Sequence, residues 1–200
     1  MQFDNLFVKP IQSVNAYLSD PNYLENTLKY SGQQEKQVEE ILDFLVTKKP
    51  LTLEECVAWA RLQFERDYNN EIQQLLFSLP KDSLTSTGQP FWSGPKRAPD
   101  PLIFDSNNVS TFHIVSSRSL HEDLTDNLVV LAYALAYIIA AANLHAYNYG
   151  LRGETDPNFF KKVVDTVIVP EFTPKSGVKV QINDNDPVPQ AGGSGSMSST

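Results

Sequence analysis

Residues 52–78 read TLEECVAWARLQFERDYNNEIQQLLFS and carry the strongest local structural signal in the chain. Thr52 and Glu55 form a capping box, in which each side chain accepts a hydrogen bond from a free backbone N–H group of the first helical turn. Apolar residues follow at helical spacing until Pro80 ends the run. The stretch therefore predicts a long helix that ends near Ser78.

Two shorter helices are predicted before this one. Asp20-Pro21 supplies an N-cap residue and a proline at the first helical position, which predicts a helix ending near Gly32. A second helix is predicted over Glu35–Lys48, and Pro50 stops it. Its apolar face is expected to contain Val38, Ile41, Leu42 and Leu45.

Residues 80–110 are rich in proline, glycine, serine and asparagine, a composition that argues against regular secondary structure. Large apolar residues lie within this segment, so we expect a long loop that packs down on the domain. These residues are Phe91, Trp92, Leu102, Ile103 and Phe104.

A further helical region is predicted over residues 119–149, closed by Gly150 as a residue suited to the left-handed position after a helix. Leu128–Ala142 is a run of 15 apolar residues, whereas a membrane span needs roughly 18–20. We therefore expect a buried helix and no membrane insertion.

The C-terminal part starts with Asp156-Pro157, which predicts a helix from Asn158 to about Val167. Alternating apolar and polar residues at 178–182 predict a short β-strand. Residues 183–200 are acidic and then Gly/Ser-rich, which is typical of a linker or a disordered tail. The predicted fold is mainly α, an irregular multi-helix domain over residues 1–182 with a long packed Pro/Gly loop and a short β segment near the C-terminus.

The composition restricts the possible functions. A net charge of −8 disfavours binding to nucleic acids or anionic membranes, because both need a basic surface. The N-terminus has no basic segment followed by an apolar one, so no signal peptide is predicted. The resulting intracellular setting makes the Asn108-Val109-Ser110 sequon a chance occurrence.

The sequence contains a single cysteine, Cys56, so no disulfide can form within the chain. Cys56 shares the apolar helix face with Trp59, and two adjacent glutamates disfavour its thiolate. We therefore interpret it as a buried structural cysteine. The pairs Glu39-Glu40 and Glu54-Glu55 are interpreted as solvated helix faces.

The histidines and one basic pair complete the candidate residues. His113, His121 and His145 are well apart in sequence, which disfavours a zinc site. Lys96-Arg97 could bind an anionic group or a partner carboxylate, or could simply belong to an exposed loop. Both interpretations of this pair stay open.

Several segments resemble the eukaryotic ubiquitin-activating enzyme family, specifically the second and larger half of its catalytic-cysteine domain. They occur in the family's order and cover about residues 6–188. The most distinctive segment is GQPFWSGPKR at residues 88–97. The others are residues 55–65, 72–80, 101–105, 140–144, 149–150 and 169–179.

The resemblance implies a reaction performed by a larger enzyme. Such enzymes use ATP and magnesium to adenylate the C-terminal glycine of ubiquitin, transfer it to a cysteine as a thioester and pass it to a ubiquitin-conjugating enzyme. The family's nucleophile lies in a Cys-Thr-Leu motif that would precede Met1, and Cys56 matches a helix cysteine instead. The resemblance therefore assigns no catalytic, cofactor-binding or metal-binding residue to this chain, which we expect to be inactive alone. It also implies a cytoplasmic and nuclear location.

One stretch departs from the family pattern. Phe112-His113 would join Tyr137-Ile138 directly if about residues 114–136 were removed, which suggests a translated intron. Val115-Ser116 is compatible with the codons of a 5′ splice site. If the insertion is genuine, we expect a protruding or poorly packed helix with an aggregation risk.

Two alternative functions remain open. The chain could be a non-catalytic protein-interaction module derived from such an enzyme, or part of an enzyme that activates another ubiquitin-like modifier. An in-frame cysteine motif in the genomic sequence upstream of Met1 would favour the enzyme over the module.

Overall fold

The computed structural model describes residues 3–29, 34–85, 87–105 and 126–178, with the backbone alone for Gln34 and residues 126–133. Most of the described residues are helical, which confirms the predicted mainly α fold. The α-helices are α1 (Lys9–Ser19), α2 (Tyr23–Lys29), α3 (Gln34–Leu42), α4 (Leu53–Glu65), α5 (Glu71–Ser78), α6 (Asp126–Asn148) and α7 (Pro157–Val164). Three wider, π-helical turns accompany these helices. One precedes α1 (Asp4–Val8), one follows α3 (Asp43–Thr47) and one joins α4 to α5 (Arg66–Asn70).

The chain divides into two compact units. The first contains Met1–Phe64 and Phe104–Ile168, and the second contains Glu65–Ile103 and Val169–Thr200. The sequence gives no sign of this division, because the helical pattern continues past residue 64 without a breaker.

Helix α2 has the predicted cap residue, Asp20, but starts two residues after Pro21, the predicted first helical residue. Asp20 Oδ1 accepts a hydrogen bond from the Asn22 N–H group at 2.8 Å, and the first helical residue is Tyr23. This bond satisfies one of the free N–H groups that every helix start exposes. The described part of the helix reaches Lys29, and its predicted end near Gly32 lies outside the described residues.

Helix α3 and the π-helical turn after it cover the predicted helix at residues 35–48. Ile41 is buried, whereas Leu42 is 54% exposed. Consecutive residues point about 100° apart around a helix, and of these two neighbours only Ile41 faces the core. The assignment of Leu42 to the buried face is therefore wrong.

The capping box at the start of α4 forms with a shift of one residue. The Glu55 N–H group donates to Thr52 Oγ1 at 3.3 Å, as predicted. Glu55 Oε2 accepts from the Leu51 N–H group at 2.6 Å, one residue before the group that the motif predicts. Both bonds still satisfy free N–H groups, and the predicted end of the helical stretch at Ser78 is confirmed.

The core of the first unit is formed by α4, α6 and α7. The ring centroids of Phe64 on α4 and Tyr137 on α6 lie 6.0 Å apart, and α7 is in contact with α6. Full burial of one large apolar side chain stabilises a fold by about 1.5–3 kcal/mol, so packing holds these helices together. The buried apolar residues of these three helices are Cys56, Val57, Ala60 and Phe64 of α4, Ala134, Leu135, Ile138, Ala141, Ala142 and Ala146 of α6, and Phe160 and Val164 of α7. Phe7, Val14 and Ile41 of the same unit are also buried.

The end of α6 confirms the role predicted for Gly150. Its φ angle is +69°, the Gly150 N–H group donates to Tyr147 O at 3.0 Å, and the Leu151 N–H group donates to Ala146 O at 2.9 Å. This pair of bonds is a Schellman motif, which satisfies carbonyl groups that a helix end leaves free. Gly150 fits because glycine adopts positive φ without steric cost.

Helix α7 begins with the predicted cap. Asp156 Oδ1 accepts from the Asn158 N–H group at 3.0 Å, and Pro157 is the first helical residue. The regular helix ends at Val164, and a turn follows in which the Val167 N–H group donates to Val164 O at 3.1 Å.

The long loop belongs to the second unit up to Ile103 and is packed, as the sequence predicts. The Leu102 N–H group donates to Tyr68 O at 2.9 Å. Leu84 and Pro90 form an isolated antiparallel bridge inside the loop. Ile103 is an exception to the predicted packing because its side chain is 76% exposed.

Several sequence predictions lie wholly or partly outside the described residues. Of the predicted strand at 178–182 only Val178 is described, and its backbone is not in a strand. Two residues near the C-terminal end of the predicted insertion, Ala134 and Leu135, are buried in the core. No helix in the described ranges is both long enough and apolar enough to span a membrane. The features that lie outside entirely are the tail at 183–200, His113, His121 and the Asn108 sequon.

Candidate functional site

An aromatic cluster in the first unit consists of Phe44, Trp59, His145 and Tyr149. Trp59 on α4 stacks on His145 on α6, with ring centroids 3.9 Å apart and planes inclined by 7°. His145 meets Tyr149 edge-on at 5.1 Å, and Tyr149 stacks on Phe44 at 4.5 Å. The cluster therefore links α4, the end of α6 and the turn after α3.

Cys56 is fully buried in α4, with an exposed fraction of 0%. Burial, followed by the negative charge of Glu55, raises the pKa of the Cys56 thiol to about 11, against a smaller lowering by a backbone hydrogen bond. Since the thiolate is the nucleophilic form, Cys56 is an inert thiol at neutral pH. The burial predicted for Cys56 is confirmed.

His145 is 8% exposed and lies face to face with Trp59. Burial lowers its pKa to about 4, so the imidazole is neutral at physiological pH. Within the ranges that the structure describes, no group of three or more His, Cys, Asp or Glu side chains is arranged to hold a metal ion. The position of His145 is that of a packing residue.

Tyr149 closes the aromatic cluster with a hydrogen bond. Its hydroxyl donates to Phe44 O at 3.1 Å, across 105 residues of sequence. Burial and then the proximity of Cys56 raise the pKa of Tyr149 to about 12, which keeps the hydroxyl a donor. The Cys56 thiol, the His145 imidazole and the Tyr149 phenol are thus all neutral at physiological pH. The aromatic cluster therefore cross-links the fold and contains no charged acid–base pair.

The carboxylate pairs have the structural roles that the sequence predicts. Glu39, Glu40 and Glu54 are exposed. Glu40 Oε1 lies 3.7 Å from Lys36 Nζ one helical turn away, and Glu55 caps α4.

A second cross-link in the first unit uses the side-chain amide of Asn143. In the sequence, this residue was noted only as part of the segment 140–144 that resembles the family. Asn143 Nδ2 donates to Glu154 O at 2.8 Å and to Ile139 O at 2.9 Å. Asn143 Oδ1 accepts from the Glu154 N–H group at 2.9 Å. One side chain therefore fixes the segment between α6 and α7 against α6.

The second unit contains an equivalent arrangement. Gln74 Nε2 on α5 donates to Lys175 O at 2.9 Å, and Gln74 Oε1 accepts from the Lys175 N–H group at 2.9 Å. The side-chain amide thus donates one hydrogen bond to, and accepts one from, the backbone of a residue 101 positions away. Paired residues of neighbouring β-strands exchange hydrogen bonds in the same way. The Gln74 amide holds the segment around Lys175 against α5.

Sequence reasoning missed both amide cross-links, although a signal was present. Asn143 interrupts an otherwise apolar stretch of α6, and Gln74 stands beside apolar residues on α5. A polar side chain in such a position needs a hydrogen-bond partner, but the partner cannot be identified from local pattern.

The basic pair Lys96-Arg97 is exposed in the loop of the second unit. Lys96 Nζ lies 4.8 Å from the centroid of the Phe91 ring, within cation–π range. Phe91 in turn meets Trp92 at right angles with centroids 5.0 Å apart. The structure therefore assigns the pair to an ordered, aromatic-backed loop.

These features define a helical domain that is rich in long-range cross-links and whose cysteine is unreactive. A family model described as "Ubiquitin-activating enzyme, SCCH domain" matches residues 1–124 and 130–198. The internal gap of the match, residues 125–129, falls inside the stretch 114–136, and the hypothesis of a translated intron there stays a prediction.

Relatives of the chain carry names of the same kind. Ubiquitin-activating enzyme E1 1 of Schizosaccharomyces pombe is 50% identical over 188 residues, which cover 94% of this chain and 16% of that protein. Ubiquitin-like modifier-activating enzyme 1 of Homo sapiens is 43% identical over 186 residues, covering 92% of this chain and 15% of that protein. The protein of that name from Dictyostelium discoideum is 41% identical over 196 residues, covering 96% and 17%.

The chain belongs to the SCCH-domain family of ubiquitin-activating enzymes. It spans about one sixth of the length of the curated relatives that it matches.

Proposed function

We propose that this chain is a structural part of the catalytic-cysteine domain of an enzyme that activates ubiquitin, and that it positions the segment that carries the reacting cysteine. In the proposed reaction, which requires ATP and magnesium, the C-terminal carboxylate of ubiquitin is adenylated with release of pyrophosphate, and a cysteine thiolate then displaces AMP to form a thioester. The acyl group then moves to the cysteine of a ubiquitin-conjugating enzyme. A thioester suits this sequence because it keeps the carbonyl activated for the second transfer.

The observation that supports a structural role is the state of Cys56. A nucleophile needs a thiolate that its substrate can reach, but Cys56 is fully buried and its pKa is raised to about 11. The reacting sulfur of the proposed enzyme is therefore a different cysteine, and we expect residues of this chain to position the segment that carries it.

The family motifs support the same role. Gln74, Trp92, Asn143 and Tyr149 all lie in segments that resemble the family, and each bonds a backbone group of a distant segment. Such bonds fix the course of the backbone, and a reacting group needs placement within about 0.5 Å. On the family resemblance, we also propose that ATP and magnesium bind other parts of the enzyme. We further propose a cytoplasmic and nuclear location.

A first experiment asks whether the chain reacts by itself. The purified 200-residue chain is incubated with ubiquitin, ATP and magnesium and run on a non-reducing gel, beside an intact ubiquitin-activating enzyme as positive control. We expect no thiol-sensitive adduct on the chain. An adduct that disappears in the Cys56→Ala variant would contradict the assignment of Cys56.

A second experiment tests the supporting role directly. The matching segment of the S. pombe relative is replaced with this chain, and ubiquitin thioester formation is measured. We expect thioester formation by the chimaera and by its Cys56→Ala variant, and a slower reaction when Gln74→Ala and Asn143→Ala are combined in it. A well-folded chimaera that forms no thioester, or one that depends on Cys56, would refute the proposal.

A further inference from the structure

The loop that carries Lys96 and Arg97 is closed at its base by two tethers. The indole N–H group of Trp92 donates to both Leu79 O and Pro80 O at 3.1 Å. Lys81 Nζ contacts Asp100 Oδ1 at 2.6 Å and so joins the beginning of the loop to a point beyond the basic pair. The loop therefore has a defined backbone course despite its lack of regular secondary structure.

The tip of the loop fixes the approach to the basic pair. The Lys96 N–H group donates to Ser93 O at 3.1 Å, and Ser93 Oγ donates to Pro90 O at 2.9 Å. Gly94 permits this turn because its φ angle is +62°. The Lys96 ammonium then lies over the Phe91 ring at 4.8 Å, which favours one position of a flexible side chain.

Lys96 and Arg97 are adjacent, exposed cations in a chain of net charge −8. Among the described residues, neither has a carboxylate within 4.0 Å, whereas the neighbouring cations Lys81 and Arg66 are paired with Asp100 and Asp67. The structure therefore presents two adjacent positive charges that no described carboxylate neutralises, one of which, Lys96, is held over an aromatic ring. Their natural counterpart is an anion from outside the chain.

We propose that Lys96 and Arg97 form a docking point for an acidic segment of a partner protein, whose carboxylates bind the two cations. A guanidinium matches a carboxylate with two parallel hydrogen bonds, and arginine and aromatic residues are both enriched at protein interfaces. The negative charge of the rest of the chain repels the same segment and so confines it to this loop. A nucleic acid fits less well, because phosphate-backbone binding typically neutralises about 6–10 charges. This inference is independent of the proposed catalytic function.

The experiment follows amide resonances of the complete 15N-labelled chain during titration with the peptide Gly-Glu-Glu-Gly-Glu-Glu-Gly. We expect shifts concentrated in the loop at residues 91–97, with little effect from the peptide in which glutamine replaces glutamate. The Lys96→Ala/Arg97→Ala double variant should weaken the apparent affinity at least tenfold, and Arg97→Lys at least threefold. Lys49→Ala/Lys162→Ala, which removes two exposed lysines that also have no described carboxylate within 4.0 Å, should change it less than twofold.

Three results would overturn the inference. The first is the absence of shifts in the loop at millimolar peptide, and the second is equal shifts with the glutamine peptide. The third is a control double variant that weakens the apparent affinity as much as the Lys96→Ala/Arg97→Ala variant does. An oligothymidylate that moves the same resonances at lower concentration than the glutamate peptide would also overturn it, in favour of nucleic-acid binding. Unchanged resonances far from the loop show that each variant is folded.

Discussion

Gly153 lies directly against the amide of Asn143, so its replacement with alanine tests the cross-link between α6 and the segment that precedes α7. A Cβ atom at residue 153 would lie 2.3 Å from Asn143 Oδ1 and 3.2 Å from Asn143 Cγ. Gly153 is not among the glycines with positive φ, so its backbone conformation is open to alanine. The expected effect of Gly153→Ala is therefore purely steric.

The size of the effect follows from the bonds that Asn143 would lose by moving. Its amide makes the bonds to Ile139 O and to both backbone groups of Glu154 at 2.8–2.9 Å. Each such bond contributes about 0.5–1.5 kcal/mol. We therefore expect Gly153→Ala and Asn143→Ala each to lower the free energy of unfolding by about 2–3 kcal/mol. In the Asn143→Ala background the obstructing atoms are gone, so Gly153→Ala should cost less than about 0.5 kcal/mol.

The assay is urea unfolding of the wild type, both single variants and the double variant, followed by circular dichroism of the helices. With a slope of about 2 kcal/mol/M, each single variant should lower the midpoint by about 1–1.5 M, and the double variant by no more. Asn15→Ala, which truncates an exposed asparagine of α1, should stay within about 0.5 kcal/mol of the wild type. Additive losses in the double variant would refute the reasoning.

Three further predictions concern His145, Cys56 and Gln74. Burial lowers the pKa of His145 to about 4, so the unfolded chain, with an ordinary value near 6.5, binds the proton more tightly. The contribution of His145 to the free energy of unfolding is therefore complete above pH 6.5 and is lost as the pH falls towards 4. The loss amounts to about 2 kcal/mol between pH 7 and pH 5. His145→Phe should remove that part of the pH dependence of the urea midpoint, and an identical pH dependence in the variant would contradict the prediction. Cys56, buried and with a pKa of about 11, should react with Ellman's reagent at pH 8 on the order of 100-fold more slowly in the folded chain than in urea; a rate near that of the unfolded chain would show an accessible thiol. Gln74→Ala should speed hydrogen exchange at the Lys175 amide, whose N–H group it leaves unbonded, with a stability loss of about 1–2 kcal/mol. Gln12→Ala, at an exposed glutamine, is the control, and unchanged protection at Lys175 would contradict the cross-link.

The candidate site divides into a part that was predictable and a part that was not. The burial of Cys56 followed from its periodicity with Trp59, and the adjacent Glu54 and Glu55 indicated a disfavoured thiolate. Both signals lie within one helix. The stack of Trp59 on His145 joins residues that are 86 positions apart (145 − 59), and no local pattern specifies such a pair. The low pKa of His145 results from that burial and was equally beyond prediction.

Several helix boundaries of this chain lie where short-range chemistry requires them. Asp20, Thr52 and Asp156 supply caps, and Gly150 supplies the left-handed residue that closes α6, so the amino-acid sequence by itself determines these boundaries within a few residues. The tertiary structure alone decided which polar groups hold the helices together. A cap bonds backbone within four residues of itself, whereas the Gln74 amide bonds a peptide group 101 residues away and the Tyr149 hydroxyl bonds one 105 residues away. Those partners exist only after the apolar faces of the helices have packed, because burial first brings the donors and acceptors within reach of each other.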